Sequence, residues 1–496
     1  MNKKYLFLLF LAACQYACSS DSPDMPDPKP EEENTEPKPD EKPGEDDKTK
    51  PDEAGTSYVF PKEFTDDLVG QEITVKNELV VVRTYGDRLE GKITLAPSLL
   101  RTPTDVEMPG STAFKERETL NKQSKLAVVA NGMNLLDPTV KTLRVGTKLK
   151  DVKGKVSKDA GRYMLTLTAT PTVEHVKRLS FAETQEGAVN SAVVRNMLRS
   201  SSDFISVVSM NLEYYMASPS KWGHSNGAHS AEEFERQNTK IVAAMKEMRA
   251  DVFAICEIEE GNYSPAYLTE QLNKALGTTA YKYVDSGDTK ISSYTKNTFI
   301  YNAEVVSPFK ECRTYSDSYL KLRHLNQCFE RKGTGEKFIL SVNHFKSKSG
   351  KASGNEQDKH DGQGSFNARR VKEARSCLKT YQDLTTYYQD TDVLVVGDLN
   401  SYSQEDPIRV FTDAGYTEEL VKHSPQSWSY VYDGQVGYLD HILSSASMSK
   451  QVVNAFTWDV NASEPSGIGY KFPAIFQQDV FRYSDHNPVI VHLRLK

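Results

Sequence analysis

Tyr483-Ser484-Asp485-His486-Asn487-Pro488 runs directly into Val489-Ile490-Val491-His492-Leu493-Arg494-Leu495. The second stretch alternates apolar and other side chains, so it predicts a β-strand, and the first sets an acid and an imidazole at its start. A loop-to-strand boundary holds polar side chains rigidly at a sheet edge, and histidine is the side chain whose ordinary titration lies nearest neutrality. The tripeptide alone says little, but the same arrangement recurs upstream. Apolar strands are expected at Phe204 to Met210, Val252 to Ile255, Phe338 to Val342 and Val393 to Gly397. They lead to Asn211, to Glu257, to His344, and to Asp398 with Asn400, while Asp440 and His441 follow Tyr438-Leu439. A helix predicted from about Ala231 to Ala250 completes a strand, helix, strand texture that implies packed α/β layers.

A lone Asp or Asn at a strand end is more often a turn former. Six ends offering only Asn, Asp, Glu and His are a different matter, because a sheet could bring them together on one edge. No Cys- or His-rich zinc spacing is present, and oxygen donors in this proportion favour Mg²⁺, with Mn²⁺ or Ca²⁺ as alternatives. Phosphodiester hydrolysis needs such a set. Charge builds on the nonbridging oxygens, water must lose a proton and an alkoxide must leave, needs that a hard cation and a base would meet.

The 496 residues, 38% of them hydrophobic, suggest more than one domain. The only long apolar stretch, Tyr5 to Ala13, follows Lys3-Lys4 and is too short to span a bilayer, so it reads as part of a signal peptide, placed at residues 1–18. Leu11-Ala12-Ala13-Cys14 resembles the lipobox of bacterial lipoproteins, which implies lipidation of Cys14, with Cys18 the second candidate. The expectation is an exported protein anchored at an outer membrane, cell surface or periplasmic face. From Ser19 to Thr56 fourteen acids and five bases stand among prolines, a net −9 against −7 for the whole chain. That composition predicts a disordered, extended tether and leaves the remainder slightly basic.

Residues 57–185 carry expected strands at Glu72 to Val82, Gly91 to Leu95, Leu126 to Ala130, Lys148 to Val156 and Tyr163 to Thr170, with no helix between them. Together with Val145-Gly146-Thr147-Lys148 and Asp151 to Val156, this resembles a small all-β oligonucleotide-binding (OB-like) barrel, against the alternative of a β-domain serving as a spacer. Residues 186–202, rich in Ser, Asn and Arg, are expected to link it to a domain spanning 203–496. Of the cysteines there, Cys312 and Cys328 are a candidate pair across two strands, and Cys256 and Cys377 are expected as buried thiols.

Ser209-Met210-Asn211-Leu212, Ile255-Cys256-Glu257-Ile258-Glu259, Gly397-Asp398-Leu399-Asn400, Tyr438-Leu439-Asp440-His441 and Ser484-Asp485-His486 stand in the order of the endonuclease/exonuclease/phosphatase superfamily. Val342 to Lys348, Asp361 to Asn367 with Arg370, Ser401 to Ile408, and Tyr430 to Gln435 are similar to its bacterial extracellular nuclease branch. The resemblance covers roughly Asp203 to Lys496 and implies an α/β (α+β) four-layer sandwich of DNase I type. It implies Glu257 and Asp485 as metal ligands with Asn211 beside them, His486 as general base and Asp440 as the group that orients it. Asp398 and Asn400 would position water and phosphate, and His344 would donate to a phosphate oxygen or the leaving group.

Two positions depart from the pattern. Ser292 to Thr298 lacks the Asp that relatives usually carry there, and Glu260 stands where an Asn often follows the Glu-Ile-Glu motif. Lys346, Lys348 and Arg370, within a basic loop that includes Lys351, Arg369 and Lys372, are the expected substrate-binding cations. Tyr402 and Trp428 are candidates for base stacking or for edge packing. The leading expectation is a metal-dependent nuclease acting on DNA, or RNA as well, with no obligate protein partner. The alternatives are a phosphodiesterase or phosphatase for lipid headgroups or sugar phosphates, and a catalytically weak nucleic-acid-binding module.

Overall fold

Val393-Leu394-Val395-Val396-Gly397-Asp398 is buried at every position, as expected of a central strand covered on both faces. In the computed structural model, which describes residues 56–84, 91–188, 204–223, 226–287, 294–314 and 323–495, this strand lies inside a six-stranded sheet. The expected signal peptide with Cys14 and Cys18, nearly all of the acidic tether and most of the 186–202 linker lie outside the described residues. All described residues belong to the unit Asp52–Lys496. Among them no helix is long and apolar enough to cross a membrane.

The sheet containing Val393–Asp398 runs Val306–Thr314, His324–Arg331, Lys337–His344, Val393–Asp398, Asp440–Ser444 and Thr417–Glu418. A second sheet runs Tyr281–Tyr283, Thr295–Asn302, Val252–Glu259, Ile205–Tyr215, Val489–Leu493 and Val452–Thr457. Val207, Val252, Phe299 and Val491 of the second sheet and Leu340, Leu394, Val396 and Ile442 of the first form one buried cluster between the two. Helices Ala231–Met248 and Tyr263–Leu276 cover the far face of one sheet, and Asn367–Tyr388 with Asp406–Asp413 cover the other. The result is a layered α/β sandwich, as the strand and helix pattern implied.

Local chemistry sets the helix ends. Ser230 accepts from the Glu233 N–H at 3.2 Å, Glu232 and Glu233 occupy the first turn, and Arg249 closes the helix in the left-handed region at φ 45°. Gly397 has a stricter reason to be glycine: at φ 125°, a Cβ there would lie 2.0 Å from the Asn343 carbonyl oxygen. That close approach fixes the strand bearing Asp398 against the strand bearing His344.

Cys312 and Cys328 are both free, and the expected pairing is not formed. Cys328 is buried with Ile339, Ala374 and Cys377 on the helix side of its sheet, whereas Cys312 packs against the cluster between the sheets. Opposite faces keep the thiols apart. Cys256 and Cys377 are buried, as the sequence indicated.

The N-terminal part departs from a helix-free barrel. Helix Thr112–Gln123, capped by the Ser111 hydroxyl, lies between strands Lys92–Ala96 and Leu126–Val129, and its apolar contribution is small enough to have hidden it. The expected strand Glu72 to Val82 breaks into Glu72–Val75 and Leu79–Thr84, because the Asn77 side chain turns to exchange hydrogen bonds with the backbone of Phe60. Lys148 to Val156 likewise bends at Asp151, φ 57°. Both breaks let strands turn a corner. Pairings run from Glu72–Val75 through Val152–Asp159, Arg162–Leu167, Leu126–Val129 and Lys92–Ala96 to Leu79–Thr84, which returns to Lys148–Lys150. Because each bent strand serves both ends of this series, the sheet closes around Ile73, Val81, Leu95, Val128 and Leu165.

Candidate active site

Three adjacent strands bring three of the expected residues into register: His344 pairs with Asp398, and Asp398 with Asp440. Paired residues on neighbouring strands project from the same face, so the pleat alone gathers these side chains. From the facing sheet, strand Ile205–Tyr215 brings Asn211 opposite Cys256, one residue before Glu257. Both strands are irregular there, with register shifts between Asn211 and Tyr215 and between Ile255 and Ile258. Glu213, Tyr214, Glu257 and Asn400 all adopt left-handed backbone, at φ 50°, 59°, 59° and 48°. Non-glycine residues avoid this region, and its clustering at one place marks a backbone re-aimed by its surroundings.

The two sheets meet through these side chains. Asn211 Nδ2 donates to Asp398 Oδ2 at 3.2 Å, and His344 Nε2 lies 3.6 Å from Glu257 Oε1 and 3.7 Å from Asp398 Oδ2. His486 Nδ1 is 2.7 Å from Asp440 Oδ2, and its Nε2 lies 3.9 Å from Asp398 Oδ2. Asn400 donates its backbone N–H to Asp398 Oδ1 at 2.9 Å and its side-chain amide to the Phe345 carbonyl at 3.2 Å. The structure therefore brings Asn211, Glu257, His344, Asp398, Asn400, Asp440 and His486 together, with Asp485 next to His486 in the chain.

Support for His486 comes from residues the sequence reading did not assign. The Tyr430 ring lies 4.6 Å from the His486 imidazole, centroid to centroid. Asn487 Oδ1 accepts from the N–H groups of Val460, Asn461 and Ala462, and Asn461 Nδ2 donates to the His486 carbonyl at 2.6 Å. Ser429 Oγ accepts from the N–H groups of Leu439 and Asp440. Tyr430 had a visible signal, since it opens a motif already singled out. The supporting amides had none, because Asn is also a common turn residue.

Electrostatics in the cleft are dominated by acid crowding. Burial, then the charges of Asp485 and Asp398, push the Glu257 carboxyl up to about 8. Burial and the neighbouring acids also raise Asp398, although His486 opposes them. Burial would lower His486, but Asp440, Asp398 and Asp485 outweigh it and hold the imidazolium form well above the ordinary histidine range. His344 goes the other way: burial and the Arg323, His486 and Lys346 charges keep it neutral. Two histidines in one cleft thus carry opposite protonation preferences, His486 toward the imidazolium and His344 toward the neutral ring. The Arg323 charge acts on both Glu257 and His344, and nothing in the sequence pointed to it.

The donor set suits a hard cation. Glu257, Asp485 and the Asn211 amide offer oxygen, and the mutual repulsion of the acids is what a divalent charge would relieve. No group of three or more His, Cys, Asp or Glu able to hold a metal converges among the described residues.

The basic loop is built differently from the expectation. Lys348 Nζ donates to both Glu405 oxygens, at 2.7 and 2.6 Å, and to the Gln363 carbonyl at 2.8 Å. Arg370 is fully buried, with its guanidinium on the carbonyls of Gln363, Ser365 and Lys346. Both cations are engaged within the protein, Lys348 by Glu405 and the Gln363 carbonyl and Arg370 by loop carbonyls. Lys346 Nζ is held by Ser347 and the Ser349 carbonyl over the Phe366 ring. Tyr402 is buried, and Trp428 donates Nε1 to Ser463 Oγ at 3.2 Å, so both pack. His441 is completely buried and ion-paired with Glu418 at 2.9 Å. Glu260, at the variant position, pairs with Lys221 at 3.3 Å.

Residues 223–486 match the Endonuclease/Exonuclease/phosphatase family, and the chain belongs to it. Members of this family are hydrolases of phosphoester bonds. Among solved structures the chain is similar to an endonuclease/exonuclease/phosphatase from Bacteroides vulgatus, at 13% identity and TM-score 0.41 over 59% of this chain and 99% of that one. It is also similar to the human Nocturnin catalytic domain with bound sulfate, at 14% identity and TM-score 0.38, over 59% and 95%. A third likeness is to D. rerio TDP2 complexed with a single-strand DNA product, at 14% identity and TM-score 0.37, over 58% and 98%. No curated protein matches the chain.

Proposed function

We propose that this protein is a metal-dependent phosphodiester hydrolase that cuts extracellular or surface nucleic acid, DNA above all. The observation that carries the reading is the buried Asp440–His486 pair, 2.7 Å apart, with its free Nε2 facing Asp398 across from Glu257. Asp440 holds Nδ1–H, which leaves Nε2 to take a proton from water and stabilises the imidazolium that results. Asp398 and Asn400 orient that water and the phosphate. Neutral His344 donates toward a phosphate oxygen or the leaving oxygen. Glu257, Asp485 and Asn211 would hold Mg²⁺, or Mn²⁺ or Ca²⁺ in its place, which would supply positive charge against the charge that builds on the phosphate oxygens. The N-terminal closed sheet is read as an OB-like module, consistent with its bent-strand closure. Export with a lipid anchor at Cys14 rests on the sequence of the first residues.

A purified body lacking residues 1–55, incubated with plasmid DNA, RNA, sugar phosphates and phospholipid headgroups with and without EDTA, tests this reading. Plasmid cleavage abolished by EDTA and restored by Mg²⁺ is expected. Release of phosphate or headgroup with intact DNA would replace it with the phosphatase or phospholipid reading.

A further inference from the structure

The N-terminal part sends one segment, residues 100–105, into the catalytic part directly behind the active site. Strand Leu100–Arg101 pairs in parallel with Gln435–Gly437, making a three-stranded sheet with the hairpin partner Tyr430–Tyr432. Tyr430, the first residue of that sheet's outer strand, is the ring against His486. Immediately after Leu100–Arg101, the short helix Pro103–Val106 buries Asp105 to 4% exposure.

Three donors converge on one oxygen of Asp105, and Arg101 faces the other. Asp105 Oδ1 accepts from the Ser403 N–H at 3.4 Å, the Ser403 hydroxyl at 3.1 Å and the Tyr438 N–H at 3.3 Å, and its Oδ2 is 2.6 Å from Arg101 Nε. Ser403 lies three residues after Asn400, and Tyr438 two before Asp440. One carboxylate from the N-terminal part therefore ties together the backbones that carry three active-site residues, Asp398, Asn400 and Asp440. Arg101 lies over the Tyr438 ring at 4.9 Å and donates to the Ser427 carbonyl at 2.7 Å. Thr104 adds a hydroxyl bond to Glu405 at 2.8 Å and accepts from the Gln404 N–H at 2.9 Å.

The approach is intimate on the opposite side as well. A Cβ at Gly362, φ 91°, would lie 2.3 Å from the Phe114 ring and 2.6 Å from the Thr104 methyl. Asn121 reaches Gln435 at 2.6 Å, and Lys125 reaches Asp433. A flexible spacer would need none of these contacts. Removing a buried carboxylate that accepts three hydrogen bonds is felt wherever its donors are, since each is left without that acceptor.

We propose that the N-terminal module is a positioning element of the active site, with Asp105 the positioning residue that holds the Asn400 to Ser403 loop and the Tyr438 to Asp440 segment in catalytic register. The inference rests on the hydrolase reading for its effect on turnover, but not for its effect on His486 geometry.

The test uses the full chain with Asp105→Ala, Asp105→Asn and Ser403→Ala. In Asp105→Ala, kcat is expected to fall about 10- to 100-fold with KM within about threefold, the signature of a displaced reacting group rather than lost binding. Asp105→Asn, which keeps an oxygen for Ser403 and Tyr438, is expected to recover part of that loss. The imidazole nitrogen NMR shifts of His486 are expected to move in Asp105→Ala; these need no turnover, so they decide the proposal even if wild type is inactive on every phosphoester tried. Folded Asp105→Ala with kcat within about twofold of wild type, or with unmoved His486 shifts, would overturn it. Should Asp105→Ala not fold, Ser403→Ala, which deletes one hydroxyl on the catalytic side, is read by the same two criteria.

Discussion

Replacing Asp440 with Asn removes a charge and leaves the shape. The bond it breaks is the 2.7 Å contact from Asp440 Oδ2 to His486 Nδ1 inside a closed cleft. A hydrogen bond to a charged group contributes about 1.5–3 kcal/mol, and at about 1.4 kcal/mol per decade its loss in the transition state lowers kcat by one to two powers of ten. Asn adds a second effect. An amide N–H turned toward Nδ1 selects the imidazole tautomer protonated on Nε2, which cannot accept a proton from water, and in carboxylate-imidazole hydrolases this brings the loss to about 10⁴. Asp440→Asn is therefore expected to lower kcat by about 10² to 10⁴ on a chromogenic phosphodiester, with metal affinity by calorimetry unchanged.

The pH profile supplies a second arm. Burial alone would lower the His486 titration, and the acids, Asp440 first, raise it well above its ordinary value. As a base His486 works in its neutral form, so the rate rises with pH through that titration. Removing Asp440 takes away the largest raising charge, and the acidic limb moves to lower pH while the plateau drops. Turnover within about threefold of wild type, an unmoved limb, or loss of metal binding would refute the pairing of Asp440 with His486.

Lys348→Met would remove the ion-pair partner of Glu405, which has no exposed side-chain surface and would keep only the Thr104 hydroxyl and the more distant Arg370 charge. Loss of about 3 kcal/mol in denaturant unfolding is expected, with no change in the salt dependence of KM; an unchanged stability would contradict the inward role. Burial would lower His441, but Glu418 more than offsets it and the imidazole is pushed up to about 9. Its stabilising contribution is thus complete below about pH 6.5 and lost as pH rises to about 9, on the order of 3 kcal/mol, and His441→Gln should flatten stability across that window. Arg323→Ala is expected to raise KM about tenfold with a smaller change in kcat; a pure kcat effect would argue against a binding role for that charge.

How far the sequence could be read depended on where the information lay. Continuous apolar runs ending in Asn, Asp, Glu or His were visible because strands buried on both faces advertise themselves, and the pleat then brings His344, Asp398 and Asp440 onto one face. Cations were harder. Lys348 and Arg370 looked like a phosphate-binding loop because a sequence shows charge but not direction, and Glu405, the partner of Lys348, lies 57 residues from it. Cys312 and Cys328 failed for a related reason, since a strand bulge decides which face each thiol takes. Helix Thr112–Gln123 was missed because only Phe114 and Asn121 of its residues are buried, which leaves little apolar periodicity to detect. Asp105 was invisible for the same reason as Glu405: its partners, Ser403 and Tyr438, are about three hundred residues away.

Cleavage of supercoiled plasmid by wild type and His486→Ala, followed after chelation and again after Mg²⁺ is restored, tests the central claim most directly. The account predicts that wild type loses activity with EDTA and regains it with Mg²⁺, while folded His486→Ala stays at least about a hundredfold slower under every metal condition. Full activity of His486→Ala, or wild-type cleavage indifferent to EDTA, would contradict it.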